Sequence, residues 1–180
     1  MSADEDPNDL ESAALAAYRS GDLQRAADGF ARSREVYAAG DDVVKAAEMG
    51  NNLCVVLLGL DRAREALEAV EGTGQVFEEA GLGLQAARAA GNRAAALAAC
   101  GRMQPAIDGY QDAIRRFHAL GARSEEADTL QALSRLQLQG GDPMAAAATA
   151  QVALDVHPSP GPIRRLARSI INRAFGLLRG

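Results

Sequence analysis

The sequence predicts an all-α solenoid, a stack of antiparallel helix pairs, and three observations lead to that fold class. First, alanine recurs every 40 residues, at Ala26, Ala66, Ala106 and Ala146. Second, four residues after these alanines come Phe30, Val70, Tyr110 and Ala150, and three residues later the small residues Ser33, Thr73, Ala113 and Ala153. Third, glycine-containing breaks separate segments of helical periodicity, with no alternating strand pattern. A period kept in register this long is typical of stacked repeats.

Composition and charge narrow the class of protein. The chain has 180 residues, 48% of them hydrophobic but only 4% aromatic, with no tryptophan. Alanine-rich packing of this kind favours closely spaced helices. The net charge of −5 argues against binding along a nucleic-acid backbone, and no apolar run approaches the roughly 20 residues of a membrane span. We therefore expect neither nucleic acid nor membrane as the partner.

The chain ends and the cysteines predict a cytoplasmic location. Residues 1–8 read as a flexible acidic segment, where a secretory signal would be basic and then apolar. Cys54 and Cys100 are too few for a disulfide framework and have no metal-type spacing, so both are interpreted as small buried side chains in a reducing compartment.

Helical periodicity begins at Leu10, and residues 9–180 are expected to form one domain. The predicted repeats cover about 9–41, 42–81, 82–121 and 122–160, followed by a terminal helix at 162–179. Each repeat would hold a first helix of about 16 residues and a second of about 18. Asp22, Asp61 and Asp142 are placed to cap second helices, and Pro143 suits a first helical position.

The second helices resemble those of the tetratricopeptide repeat family. The resemblance lies in alanine, aromatic and small residues at fixed spacing, in Ala106, Tyr110, Ala113 and in Ala26, Phe30, Ser33, with Pro158 where a final second helix commonly ends. The period of 40 exceeds the usual repeat of about 34, which places longer second helices in a long variety of the repeat. The resemblance implies a right-handed superhelical solenoid whose first helices line a concave, ligand-holding face. It also implies a protein–protein interaction scaffold with no enzymatic activity and no cofactor.

The first helices supply the candidate ligand-binding residues on that face: Asn51, Asn52, Arg88, Asn92 and Arg135. An asparagine amide both donates and accepts hydrogen bonds, which suits it to the main chain of a peptide. The alternative is that the asparagines bond to neighbouring helices or to water.

One turn before Asn52, Asn92 and Asn172 lie Glu48, Arg88 and Arg168, with Asp128 in the same column. Asn52 with Arg88 is similar to two of the five positions of the carboxylate clamp by which some family members hold a partner's terminal carboxylate. The other three positions hold Glu11, Leu15 and Asn92, where basic, amide and basic side chains belong.

The remaining motifs are interpreted as features of the fold rather than as functional sites. Gly81, Gly83 and Ala86 spell a phosphate-loop pattern, but a helix precedes them, so they are interpreted as a turn. His118 and His157 have no metal-type or acid–base partners nearby in sequence, and no metal site is expected. Glu78–Glu79 and Glu125–Glu126 read as solvated helix ends. An enzyme remains the competing class, although no nucleophile, base and orienting group can be assembled.

The terminal helix is the second candidate site. Ile171, Phe175 and Leu178 extend an apolar stripe beyond what one neighbouring helix would cover. Self-association, or a regulatory contact, through this helix is the alternative function. Its arginines leave a membrane-surface or nucleic-acid role as a further, less favoured possibility.

Overall fold

A computed structural model describes residues 6–157 of the chain, and within that range all regular structure is α-helical. The helices are α1 (Pro7–Ser20), α2 (Leu23–Ala39), α3 (Val43–Gly59), α4 (Ala63–Val70), α5 (Thr73–Glu79), α6 (Gly83–Ala99), α7 (Met103–Ala119), α8 (Arg123–Gln139) and α9 (Pro143–Val156). The predicted terminal helix at 162–179, with Ile171, Phe175 and Leu178, lies outside the described residues. None of the described helices is long and apolar enough to cross a membrane.

The connections between helices repeat the same turn every 20 residues. The residue with a left-handed backbone is Gly21, Asp41, Asp61, Gly81, Gly101, Gly121 and Gly141 in successive turns. After α7, for example, the Gly121 N–H donates to the His118 carbonyl (3.0 Å) and the Ala122 N–H donates to the Phe117 carbonyl (2.9 Å). This turn satisfies the last carbonyls of a helix and reverses the chain within about three residues. The two helices joined by each of these turns are therefore antiparallel.

The helices pack as four pairs: α1 with α2, α3 with α4 and α5, α6 with α7, and α8 with α9. Pairs stack because each second helix also packs on the next first helix, and because α6 contacts both α3 and α8. The alanines at the start of the 40-residue pattern are buried, with Ala26, Ala66 and Ala106 at 0% exposure. The small residues seven positions later are buried as well, in all four repeats. The predicted all-α solenoid of helix pairs is confirmed.

The second repeat departs from the prediction, because its second helix is broken. Glu71 is extended and Gly72 has a φ of 76°, which separates α4 from α5. Two carbonyls at the break find side-chain donors: Arg34 Nη1 donates to the Ala69 carbonyl (3.3 Å), and Thr73 Oγ1 donates to the Val70 carbonyl (2.8 Å). The prediction of one continuous second helix was wrong here.

Two helix starts also differ from expectation. Helix α1 begins at Pro7 rather than near Leu10, because Asp6 Oδ1 accepts the Asn8 N–H at 2.9 Å and caps it. Asp22 and Asp142 cap α2 and α9 as predicted, and Pro143 is the first residue of α9. Asp61, however, occupies the left-handed turn position with a φ of 58°, so it caps nothing and α4 begins without a side-chain cap.

Candidate functional site: a groove across three repeats

A groove of about 430 Å³ runs across the first helices of three consecutive repeats. Its walls come from α3, α6 and α8, and two aromatic residues of α7 reach into it. We call it the central groove, and its lining residues are Asn51, Asn52, Val55, Arg88, Gly91, Asn92, Ala95, Tyr110, Phe117, Glu125, Asp128, Thr129 and Ala132. Four of the five predicted ligand-binding residues line it: Asn51, Asn52, Arg88 and Asn92.

The groove combines an apolar floor with a polar rim. Tyr110 and Phe117 are 7% and 3% exposed, so only an edge of each ring reaches the surface, whereas Val55 is 38% exposed. Gly91 and Ala95 of α6 add little side-chain volume between them. An apolar floor with a few placed polar groups is the usual composition of a ligand site.

The asparagines of the groove partly bond to each other and partly keep hydrogen-bonding groups for a ligand. Asn92 Nδ2 donates to Asn51 Oδ1 at 2.9 Å and so ties α6 to α3, which is the alternative interpretation of this column. That bond leaves the side-chain N–H groups of Asn51 and the side-chain oxygen Oδ1 of Asn92 for other partners. The Asn52 side chain makes no hydrogen bond with any described residue. The amide rim therefore keeps both donors and acceptors toward the groove.

The arginine of the groove is already paired. Arg88 Nη2 lies 2.7 Å from Glu125 Oε1, and this contact lowers the pKa of the Glu125 carboxyl below its ordinary value. Glu125 lies in the first turn of α8 and is about a third exposed. The pairing reaches from α6 to α8 and holds the guanidinium over the groove with its charge balanced.

The other clamp positions do not complete a carboxylate site. Glu11 Oε2 accepts a hydrogen bond from the Tyr37 hydroxyl at 2.9 Å and lies 3.4 Å from Lys45 Nζ. Burial, followed by the bond to Glu11, raises the pKa of Tyr37 to about 12. Lys45 also pairs with Glu48 at 3.0 Å. These groups form a closed polar cluster toward the N-terminal end of the solenoid.

Arg135, the fifth predicted residue, does not line the central groove. It is exposed on α8, two turns beyond Asp128, and its charge reaches Tyr110: burial raises the pKa of that phenol while Arg135 opposes the rise. Asp128 itself is exposed and lines the groove.

The structure also shows the positions of the glycines, of Glu126 and of the metal-ligating side chains considered in the sequence analysis. Gly81 lies in the turn after α5 and Gly83 begins α6, as the turn interpretation predicts. Glu126 is 5% exposed and its Oε1 lies 3.0 Å from His118 Nδ1, so the prediction of a solvated helix end was wrong for this residue. Among the described residues, no three metal-ligating side chains converge.

The two cysteines differ in how deeply they are buried. Cys54 is fully buried, which raises the pKa of its thiol to about 12, and its Sγ donates weakly to the Asn92 carbonyl at 3.8 Å. Cys100 is half-buried, so the prediction that both thiols are buried was wrong for this one.

The apolar and small residues of the groove were not identified from the sequence as part of the site. Val55 lies four residues after Asn51, Ala95 three after Asn92 and Gly91 three after Arg88, and this helical spacing would have located them. The position of Tyr110 in the floor had no comparable signal, because it depends on how a second helix leans between two first helices.

Comparison with known proteins gives relatives in structure only. No family model matches the chain, and no curated protein matches it by sequence. Among solved structures, the Rap conjugation gene regulator of the plasmid pLS20, in complex with the Phr* peptide, superposes with a TM-score of 0.73 at 16% identity. The match covers 90% of this chain and 46% of that one, so this chain spans less than half of the regulator's length.

A second solved structure, BtubC (BKLC) from P. vanneervenii, superposes with a TM-score of 0.74 at 17% identity. That match covers 89% of this chain and 70% of the other. At such low identity the two likenesses establish a shared helical-repeat fold and nothing about function.

Proposed function

We propose that the chain is a protein–protein interaction module that binds a peptide or helix of a partner protein in the central groove. The observation that carries the proposal is the groove itself: an apolar floor across three repeats, bordered by amides that keep free donors and acceptors. A surface that is formed before binding loses little conformational entropy when an extended ligand arrives. The peptide held by the Rap regulator supports the same use of the fold.

The proposal includes a long-period tetratricopeptide-like architecture and no catalysis by the chain itself. The groups that line the central groove are amides, one ion pair, one further carboxylate, the hydroxyls of Thr129 and Tyr110, and apolar side chains. This set suits recognition, whereas acid–base or nucleophilic chemistry needs converging groups in named roles. A cytoplasmic location and self-association through the terminal helix stay predictions.

The test begins with short random peptides displayed on phage and selected on the immobilised full chain. Selected peptides are then synthesised, and their dissociation constants are measured by fluorescence anisotropy. The double variant Asn52→Ala with Arg88→Ala should weaken binding about tenfold or more, since it removes one amide that borders the groove and the guanidinium that joins α6 to Glu125 of α8. The matched control is Gln24→Ala with Arg25→Ala on α2, where both side chains are exposed and outside the groove.

Circular dichroism would check that both double variants keep the helicity of the parent chain. Equal affinity of the selected peptides for the parent and the groove variant would place the binding site elsewhere. Failure to select any peptide would overturn the proposed function.

A further inference from the structure

Gly91 is a glycine that helix packing does not explain. It lies in the middle of α6, where a glycine destabilises the helix relative to alanine. The same position in the other repeats holds Glu11, Asn51 and Gln131, all with long side chains. A Cβ atom at Gly91 would lie 3.8 Å from the Ala113 Cβ, which is an ordinary contact. The described structure therefore leaves room for a Cβ atom at this position.

Other helical glycines show what a packing requirement looks like. A Cβ at Gly29 would lie 2.8 Å from the Ala14 Cβ, and one at Gly109 would lie 3.0 Å from the Ala94 Cβ. Those two glycines let helices of one pair approach closely. Gly91 has no such neighbour, so the destabilisation it causes needs another explanation.

The place of Gly91 in the groove supplies that explanation. Gly91 lines the central groove together with Ala95, which is also small, and with the buried ring of Tyr110. Because Gly91 lines the groove, a side chain at position 91 would take up part of the groove volume. We call the space bounded by these three residues the Gly91 hollow. Its walls are apolar, so an apolar side chain is the ligand group that fits it.

The charge on the groove lining is negative. Its charged residues are one guanidinium, Arg88, and two carboxylates, Glu125 and Asp128, and Arg88 is bound to Glu125 at 2.7 Å. Asp128 is exposed and makes no ion pair or side-chain hydrogen bond with any residue from 6 to 157. Lys45 is held in the separate cluster with Glu11 and Glu48. Among the charged residues that line the groove, Asp128 is therefore the one without a partner in the described part of the chain.

We propose that the partner segment places an apolar side chain in the Gly91 hollow and a lysine or arginine against Asp128. This inference rests on the proposed function and gives the partner a chemistry: a short cationic and apolar segment, bound through internal side chains. It differs from capture of a terminal carboxylate, because Arg88 is neutralised by Glu125.

The probes are pools of synthetic peptides, acetylated and amidated so that no terminal charge takes part. Each pool fixes leucine at one central position and lysine, glutamate or glutamine one or two positions away, with glycine, serine and alanine elsewhere. Binding to the ¹⁵N-labelled full chain is followed by NMR, using the Gly91 backbone amide and the side-chain amides of Asn52 and Asn92. This readout measures weak affinities and reports where the peptide lies.

The lysine pool should bind about three to ten times more tightly than the glutamate pool, with the glutamine pool between them. Asp128→Asn should bring the three affinities close together, and Asp128→Lys should reverse their order. The matched control is Asp108→Asn on α7, which changes the net charge equally at an exposed site outside the groove. That variant should keep the parental order.

Gly91→Gln, which restores the residue type found at Gln131, should weaken all pools about tenfold by filling the hollow. Urea unfolding checks that the variant is folded. If it is not, Gly91→Ala, which introduces only an ordinary contact, carries the test with a smaller loss of affinity.

Two results would overturn the inference alone: pools that bind at the groove with equal affinity whatever their charge, or affinity that is unchanged when the hollow is filled. If no pool binds and phage selection also yields no peptide, the proposed function and this inference fall together. If selected peptides bind at the groove but lack both a cationic and an apolar residue, only the inference fails.

Discussion

The break between α4 and α5 depends on Gly50, and the substitution Gly50→Ala tests this. A Cβ on Gly50 of α3 would lie 2.6 Å from the Ala69 carbonyl oxygen and 3.3 Å from Thr73 Cγ2. To restore an ordinary contact, the carbonyl would have to retreat by about 0.8 Å. The same carbonyl accepts the hydrogen bond from Arg34 Nη1 at 3.3 Å, so that retreat would also lengthen this bond.

Two opposing terms set the size of the effect. Overpacking a buried site costs about 1–3 kcal/mol, whereas replacing glycine by alanine inside a helix returns about 1 kcal/mol. The backbone carbonyl cannot rotate away as the end of a flexible side chain could, so the cost should lie in the upper part of its range. We expect Gly50→Ala to lower the free energy of unfolding by about 1–2 kcal/mol.

The matched control is Gly91→Ala, also in the interior of a first helix, where the new Cβ meets only Ala113 at 3.8 Å. This variant should gain about 0.5–1 kcal/mol from helix propensity. The two variants should therefore differ by about 2 kcal/mol in urea unfolding followed by far-ultraviolet circular dichroism. Gly50→Ala at least as stable as Gly91→Ala would refute the account of the break.

Two further predictions concern the turns and the polar cluster. Asp61→Gly should raise the free energy of unfolding by about 0.5–1 kcal/mol, because Asp61 holds a left-handed φ of 58° where five other turns have glycine. A loss of stability in urea would instead mean that the Asp61 side chain stabilises the turn. The raised pKa of Tyr37 means that the folded chain favours the neutral phenol. The contribution of Tyr37 to the free energy of unfolding is therefore complete below pH 10, its pKa in the unfolded chain, and is lost as the pH rises toward 12. Unfolding measured across this range should show a decline that Tyr37→Phe makes shallower, and parallel curves for the two chains would contradict the assignment.

The repeat pattern predicts the solenoid of helix pairs because the residues at the repeated positions are the buried ones. The positions of Ala26, Ala66 and Ala106 are filled by alanine for a physical reason, since each is completely buried. The pattern cannot predict the break at Val70–Thr73, because the carbonyl of Ala69 is satisfied by Arg34, a residue of another helix pair. The glycines at 72 and 74 were the available local signal.

The groove was predicted in part for a similar reason. Asn52 and Asn92 share a position in successive first helices, and Arg88 lies one turn before Asn92 on the same face, which is a property of the sequence. The pairing of Arg88 with Glu125, 37 residues away, joins different positions of neighbouring repeats. It depends on how far one helix pair is rotated and shifted against the next, and that is set by packing.

The departures from the repeat are therefore informative about function. At position 91 the chain gives up a side chain and some helix stability without a packing need, and one repeat further on, Asp128 adds a carboxylate with no partner among the described residues. Both residues line the same groove, although they lie on different helices and 37 positions apart in sequence. Features that reduce stability, or gain nothing from the fold, are expected where a surface is shaped for a ligand. The regular positions of the repeat build the solenoid, and these two irregular ones define the chemistry that its partner would have to match.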